Sequence, residues 1–353
     1  MIKLLPYLKL AADKNGSDLF FTAGAPPMLK IDGDMLAIGK TVLTDEFLRE
    51  LIHSVLTPEQ QAALVRELEL DLALPASGIG RFRANIFYQR GAISMVLRYV
   101  RSDVPQLDAL DLPEVLKSLV MHKRGLILLV GAAGSGKSTT LAAMLNHRNE
   151  NASGHILTIE DPIEFVHANR RSIVNQREVG QDTHSYERAL ISAMREAPDV
   201  VLIGEVRTRD TMDACVQLAN TGHLALSSLH ANNASQALQR IVNLYPQERR
   251  DQLYLDLSLS LRAIVSQRLV RRKDGKRCAA VEVLVNTPFV QELILNRRID
   301  EIAQAMDQSA SGGAQTFDQS LHQLWKRGLI ELDEALDNAD SRSNLEARIN
   351  FGG

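Results

Sequence analysis

The stretch "LILLVGAAGSGKSTT", residues 126–140, constrains this chain more than any other. Five apolar residues of strand character run into a loop with glycine at 131, 134 and 136, and the helix-favouring "STTLAAMLNHRN" follows at once. This is G-x-x-x-x-G-K-[ST] in the setting its physics requires, between a strand and a helix. Backbone amides of Gly131, Ala132, Ala133, Gly134, Ser135 and Gly136 can face phosphate oxygens, and the start of the helix at Lys137, Ser138 and Thr139 adds further donors. Lys137 offers a compact charge to the β- and γ-phosphates, and the Ser138 hydroxyl can ligate magnesium. The expected ligands are therefore ATP and Mg2+.

Other strand ends supply acids. "HILTIEDPIEFVH" carries a β-type run, Ile156 to Ile159, that ends in Glu160 and Asp161, with Pro162 and Glu164 just beyond. "DVVLIGEVRTRD", residues 199–210, is a second apolar run that ends in Gly204 and Glu205. Strands of a parallel sheet end around one crevice, so Glu160, Asp161 and Glu164 are the candidates to help Ser138 with magnesium, partly through water. Glycine fills the place before Glu205 where many ATP hydrolases carry an acid. Glu205 then suits the other task, orienting a water and accepting its proton; a plain ion pair with Arg207 or Arg209 is the competing reading.

In "NTGHLALSSLHANN", His223 opens a strand-like run and His230 closes it. They lie too far apart for a compact metal pair, and both read as polar couplers of nucleotide state to packing, with His230 at the phosphate side. In "GRFRANIFYQRG", Arg81 and Arg83 share a face by strand alternation, and Arg98 sits near the end of the next strand. Solvated sheet arginines are common, yet arginines from another domain or subunit are an efficient source of charge for a γ-phosphate.

The chain of 353 residues is 45% hydrophobic and 24% charged, with net charge −3, so nothing draws it as a whole to nucleic acid. No window of about 18 uncharged apolar residues occurs, and no signal peptide or membrane span is expected. Cys215 and Cys278 lack metal-ligand spacing, so no metal cluster is expected and the compartment reads as reducing and cytoplasmic. Strand and helix signals divide the chain into an N-terminal α/β domain at 1–101 and a linker at 102–113. An ATPase core follows at 114–285, then a small helical region at 286–345 and a flexible tail at 346–353.

Taken together, "GAAGSGKSTT", "ILTIEDPIEF", "DVVLIGEVR" and "TGHLALSSLHANN" resemble the P-loop, Asp box, atypical Walker B and His box of the type II and type IV secretion ATPase superfamily. "SQRLVRR" also fits, and the resemblance spans about residues 1–345. "GSDLFFTAGAPPMLKIDG" and "QTFDQSL…RGLIELDEAL" are most similar to its pilus-retraction (PilT/PilU) branch, on the PilU side. The resemblance implies a PAS-like N-terminal domain and a RecA-like P-loop ATPase domain with a small helical C-terminal region. It implies a homohexamer at the cytoplasmic base of the type IV pilus, associated peripherally with the inner membrane. There ATP hydrolysis would drive pilus retraction and twitching motility, with a PilT-like retraction ATPase and an inner-membrane platform protein as partners.

Carried over by residue, Glu205 is the catalytic glutamate, Glu160, Asp161 and Glu164 are the Asp-box acids, and His223 with His230 form the His box. Arg81, Arg83 and Arg98 match arginines that reach nucleotide across an interface, and Arg195 and Arg207 match coupling positions. Ala132-Ala133 stand where the family commonly has Pro-Thr, and Val206 where the retraction motor usually has methionine. The four-cysteine zinc insertion of assembly ATPases is absent. PilU-like members depend on PilT, so a nucleotide-binding accessory ring is an alternative; an assembly or secretion ATPase and a DNA-translocating ring are weaker ones.

Overall fold

The computed structural model describes residues 3–31, 33–100, 104–308 and 312–351. They form two compact units, one reaching to residue 103 and joined by Glu164–Val166, the other made of the rest from Val104 onward.

The first unit is one antiparallel sheet with helices against a single face. Its strands are β1 (Asp18–Thr22), β2 (Met28–Ile31), β3 (Asp34–Ala37), β4 (Glu69–Ala76), β5 (Gly80–Gln89) and β6 (Ala92–Val100), in the spatial order β3-β2-β1-β6-β5-β4. Alternation decides which side is covered: Phe82, Ala84 and Ile86 of β5 are fully buried, with Leu19, Phe21 and Leu97 of the neighbouring strands. Helices Asp45–His53 and Pro58–Glu67 start where Thr44 and Thr57 accept amide hydrogen bonds from Phe47 and Gln60.

The second unit is built on a seven-stranded sheet: β7 (Gly125–Val130), β8 (Gly154–Glu160), β9 (Ser172–Glu178), β10 (Val200–Ile203), β11 (Leu224–Leu229), β12 (Leu261–Arg271) and β13 (Arg277–Val285). Their order is β13-β12-β7-β11-β10-β8-β9, and every pairing is parallel except that of the edge hairpin β12–β13. β7, β10 and β11 are buried along their whole length, as strands covered on both faces must be, so their sequences run apolar without alternating. The turn after β12 holds Asp274-Gly275, with Gly275 at φ +80°, the hairpin tip that this dipeptide predicts.

Three expectations change here. Residues 102 and 103 of the expected linker lie outside the described residues, but from 104 the chain is already part of the second unit. Leu107, in the short 3-10 turn Leu107–Leu110, is buried in its core. The C-terminal helices do not surround a core of their own. Val290, Leu293 and Ile294 of Pro288–Leu295 share the core of β10 and β11, and Phe317, Leu321 and Leu345 pack with Val270 and Ala280 of the hairpin. The presumed tail from 346 continues the helix Arg342–Phe351, in which Leu345 and Ile349 fall four residues apart on one packed side; residues 352 and 353 lie outside the described residues.

Candidate active site

Parallel pairing brings the C-terminal ends of five strands to one edge of the second unit. Val130 leads into the P-loop, Glu160 ends β8, Glu205 follows β10, His230 follows β11, and Gln267 on β12 lies one residue past the Val130 register partner. The crevice that gathers these ends is the ligand site of open α/β sheets.

The loop itself is shaped for phosphate. A Cβ on Gly131 would lie 2.4 Å from Ser135 Oγ and 2.6 Å from the Gln267 carbonyl oxygen, so only glycine passes there. Gly136 is the N-cap of helix Lys137–Asn151 at φ +92° and gives it no side-chain cap, which leaves amides of the first turn to an anion. Ser135 Oγ is buried without a hydrogen-bond partner. Lys137 is buried and its Nζ donates to the carbonyls of Gly131 (2.9 Å) and Ala132 (2.8 Å). A loop with no room for a side chain at 131 and 136, an unpaired hydroxyl, uncapped amides and an ammonium are the donor set a polyphosphate needs, and Ser138 in the first turn offers a hydroxyl suited to magnesium.

His230 joins this loop to Glu205. Its Nδ1 lies 3.3 Å from the Gly131 carbonyl oxygen and its Nε2 3.2 Å from Glu205 Oε1. Both partners are oxygens, so the imidazole stands between the phosphate loop and the strand-end carboxylate. The other Glu205 oxygen accepts from Arg207 Nε at 2.8 Å, and that hydrogen bond raises the basicity of Arg207. The ion pair that the sequence left open is thus formed, with Arg207 rather than Arg209, which lies nearest Asp213 at 3.5 Å and Asp210 at 3.6 Å.

Glu160 accepts from Thr158 Oγ1 (2.6 Å) and Gln176 Nε2 (3.3 Å). β8 stands three strand spacings from β7, about 14 Å, so strand position alone does not make Glu160 a direct ligand of an ion at Ser138. Asp161 is exposed, and so is Glu164, in the stretch that groups with the first unit. His223 and Arg195 are not brought to this edge. His223 precedes β11 at the opposite end of the sheet, where its Nδ1 meets Thr221 Oγ1 at 3.1 Å, and Arg195 is exposed before β10 at that same far end. A histidine at each end of one strand gives two separate environments, about 20 Å apart.

In the first unit, Arg81, Arg83 and Arg98 share one sheet face, because Arg83 pairs directly with Arg98 across β5 and β6. Like charges opposite each other destabilise a sheet; Asp71 at 3.8 Å from Arg83 and Asp18 at 2.9 Å from Arg98 offset part of it.

Four residues at the crevice escaped the sequence reading. Gln267 Oε1 accepts from Thr140 Oγ1 at 2.9 Å in a buried bond that pins the P-loop helix to β12. Glu178, buried at the end of β9, accepts from the Ile163 amide at 3.1 Å and so anchors the loop that follows Glu160. Glu282 of β13 accepts from Ser266 Oγ and from the Ala234 amide, both at 2.7 Å, and burial pushes its carboxyl up to about 7; it fastens the helix that begins just after His230. Tyr186 opens helix Tyr186–Ala193 and places its hydroxyl against Gly204. Gln267 lay inside "SQRLVRR", the one signal that pointed to any of them.

Comparison with known proteins adds to the geometry. The family described as "Type II/IV secretion system protein" matches residues 72–338. The chain is 50% identical to Type IV pilus ATPase PilU of Pseudomonas aeruginosa over 98% of its own length and 91% of that protein. It is 39% identical to Type IV pilus retractation ATPase PilT of the same organism over 96% and 98%. A crystal structure of the pilus retraction motor PilT with bound ADP superposes with a TM-score of 0.91 at 38% identity, covering 97% of this chain and 98% of that one. Among the described residues no helix is long and apolar enough to cross a membrane.

Proposed function

The chain belongs to the Type II/IV secretion system protein family, and from that membership we propose that it is a magnesium-dependent ATPase motor of type IV pilus retraction. The observation that carries the reading is the unbroken contact from the Gly131 carbonyl through His230 to Glu205. It ties the phosphate cradle to a strand-end carboxylate of the kind that can serve a water. Gly131, Gly136 and the first-turn amides hold the phosphates, Lys137 balances their charge, and Ser138 with Glu160 and Asp161 holds magnesium, largely through water. Bound magnesium supplies charge neutralisation on the phosphate oxygens. Glu205 orients water and takes its proton, while His230 reports the state of the cradle to that carboxylate.

The working unit in this reading is a homohexameric ring, active in twitching motility on the cytoplasmic side of the pilus base. The arginine face of Arg81, Arg83 and Arg98 carries paired positive charge that an anion would relieve, which supports its use toward nucleotide across a subunit interface. A PilT-like ATPase and the inner-membrane platform protein are the proposed partners. The greater identity to PilU than to PilT favours, as a second reading, a ring that reinforces a principal PilT-like motor. In the host, deletion of the gene is expected to leave pili on the surface while withdrawal and twitching fall; cells unable to extend pili at all would point to an assembly ATPase instead.

A further inference from the structure

Gly204 has no conformational reason to be glycine: its φ is not positive, and any residue can adopt its backbone. The reason is spatial. A Cβ built there would lie 2.9 Å from Tyr186 Oη, 3.4 Å from Glu160 Cα and 3.5 Å from the Ile159 carbonyl oxygen. The hydroxyl of Tyr186 thus stands where a side chain at 204 would begin, beside the end of β8. We propose that Tyr186 is a positioning residue that replaces the acid missing before Glu205: its hydroxyl, beside the end of β8, links the water shell of bound magnesium to the carboxylate of Glu160. The proposal rests on the reading of this crevice as a magnesium–ATP site.

Tyr186 is fixed from both sides. Ser185 caps its helix by accepting from the Arg188 amide, and the ring packs against the core that holds Ile203 and Val206. Burial, then the charges of Asp161 and Glu160, hold the phenol well above its ordinary pKa. A protonated phenol donates to a carboxylate and accepts from a water at once. A carboxylate at 204 could only accept, and it would add a third acid to Glu160 and Glu205. The tyrosine keeps the link without that repulsion.

The test measures the affinity of the purified full-length chain for a fluorescent ATP analogue with magnesium and with EDTA; the ratio of the two is the magnesium gain. Tyr186→Phe removes only the hydroxyl, and it is expected to leave the EDTA affinity unchanged and to cut the magnesium gain about tenfold, the scale of one hydrogen bond to a charged group. Gly204→Ala pushes on the hydroxyl from the strand side, so it is expected to produce a similar loss in the parent and little further loss in the Tyr186→Phe background. An unchanged gain in Tyr186→Phe, or an equal loss with and without magnesium, would overturn the proposal in favour of simple space filling. So would a parent with no magnesium gain. A parent that shows the gain but does not hydrolyse ATP would instead sink the motor reading and leave this one standing. Should Tyr186→Phe melt far below the parent, the Gly204→Ala arm decides alone.

Discussion

Glu205→Gln is expected to hold magnesium–ATP within about threefold of the parent and to lose turnover by at least about 100-fold, the scale of a general base. The amide keeps the size of the side chain, and its oxygen can still accept from His230 Nε2. What disappears is the proton acceptor and one charge. The bond from Arg207 is also lost, but that side chain is 69% exposed, and ion pairs of that kind contribute little to stability. The fold is therefore expected to survive with a melting temperature within a few degrees. Nucleotide binding measured beside phosphate release separates the outcomes: turnover retained would remove Glu205 from the chemistry, and binding lost with turnover would make it part of the cradle.

Lys137→Ala is expected to fail one step earlier. Its ammonium is buried among the carbonyls of Gly131 and Ala132, which on the proposed function is the place of the phosphates. ATP affinity should fall about 100-fold, the cost of truncating one partner of a buried charge pair at roughly 3 kcal/mol, and hydrolysis should fall with it. The cradle remains shaped without the lysine, because the Gly131 carbonyl also meets His230 and Gln267 still holds Thr140. Calorimetric titration with magnesium–ATP reads the change directly, and an affinity equal to the parent's would mean that phosphate binds elsewhere.

Much of this was legible in the sequence for identifiable reasons. The parallel sheet announced itself because strands buried on both faces are written as unbroken apolar runs, and the phosphate loop because glycine is the only residue that fits at 131 and 136. Strand alternation put Arg81 and Arg83 on one face, and the register of β5 with β6 adds Arg98 to it. What stayed hidden was whatever depends on strand order. "SIVNQRE" is an edge strand with polar residues throughout, so β9 gave no apolar run, and the anchoring of the Asp-box loop by Glu178 was lost with it. Gln267 meets Thr140 across 127 positions of sequence, and Tyr186, which opens the helix before β10, meets Gly204 just after β10. Spacing also cannot assign the two ends of a strand to different surroundings, and so His223 was grouped with His230. The pairing of Glu205 with Arg207 competes or coexists with catalysis in the sequence reading; the structure shows the pair formed while His230 keeps the same carboxylate in contact with the phosphate loop.

The most direct test of the motor reading is one sample measured two ways: mass in solution by light scattering, with and without magnesium–ATP, and phosphate release in the same fractions. The account predicts that hydrolysis follows a species of six chains and disappears in fractions of single chains, because the arginines of the first unit serve a neighbour's nucleotide. Full activity in a demonstrably monomeric fraction, or six-chain particles that bind magnesium–ATP and never release phosphate, would contradict it.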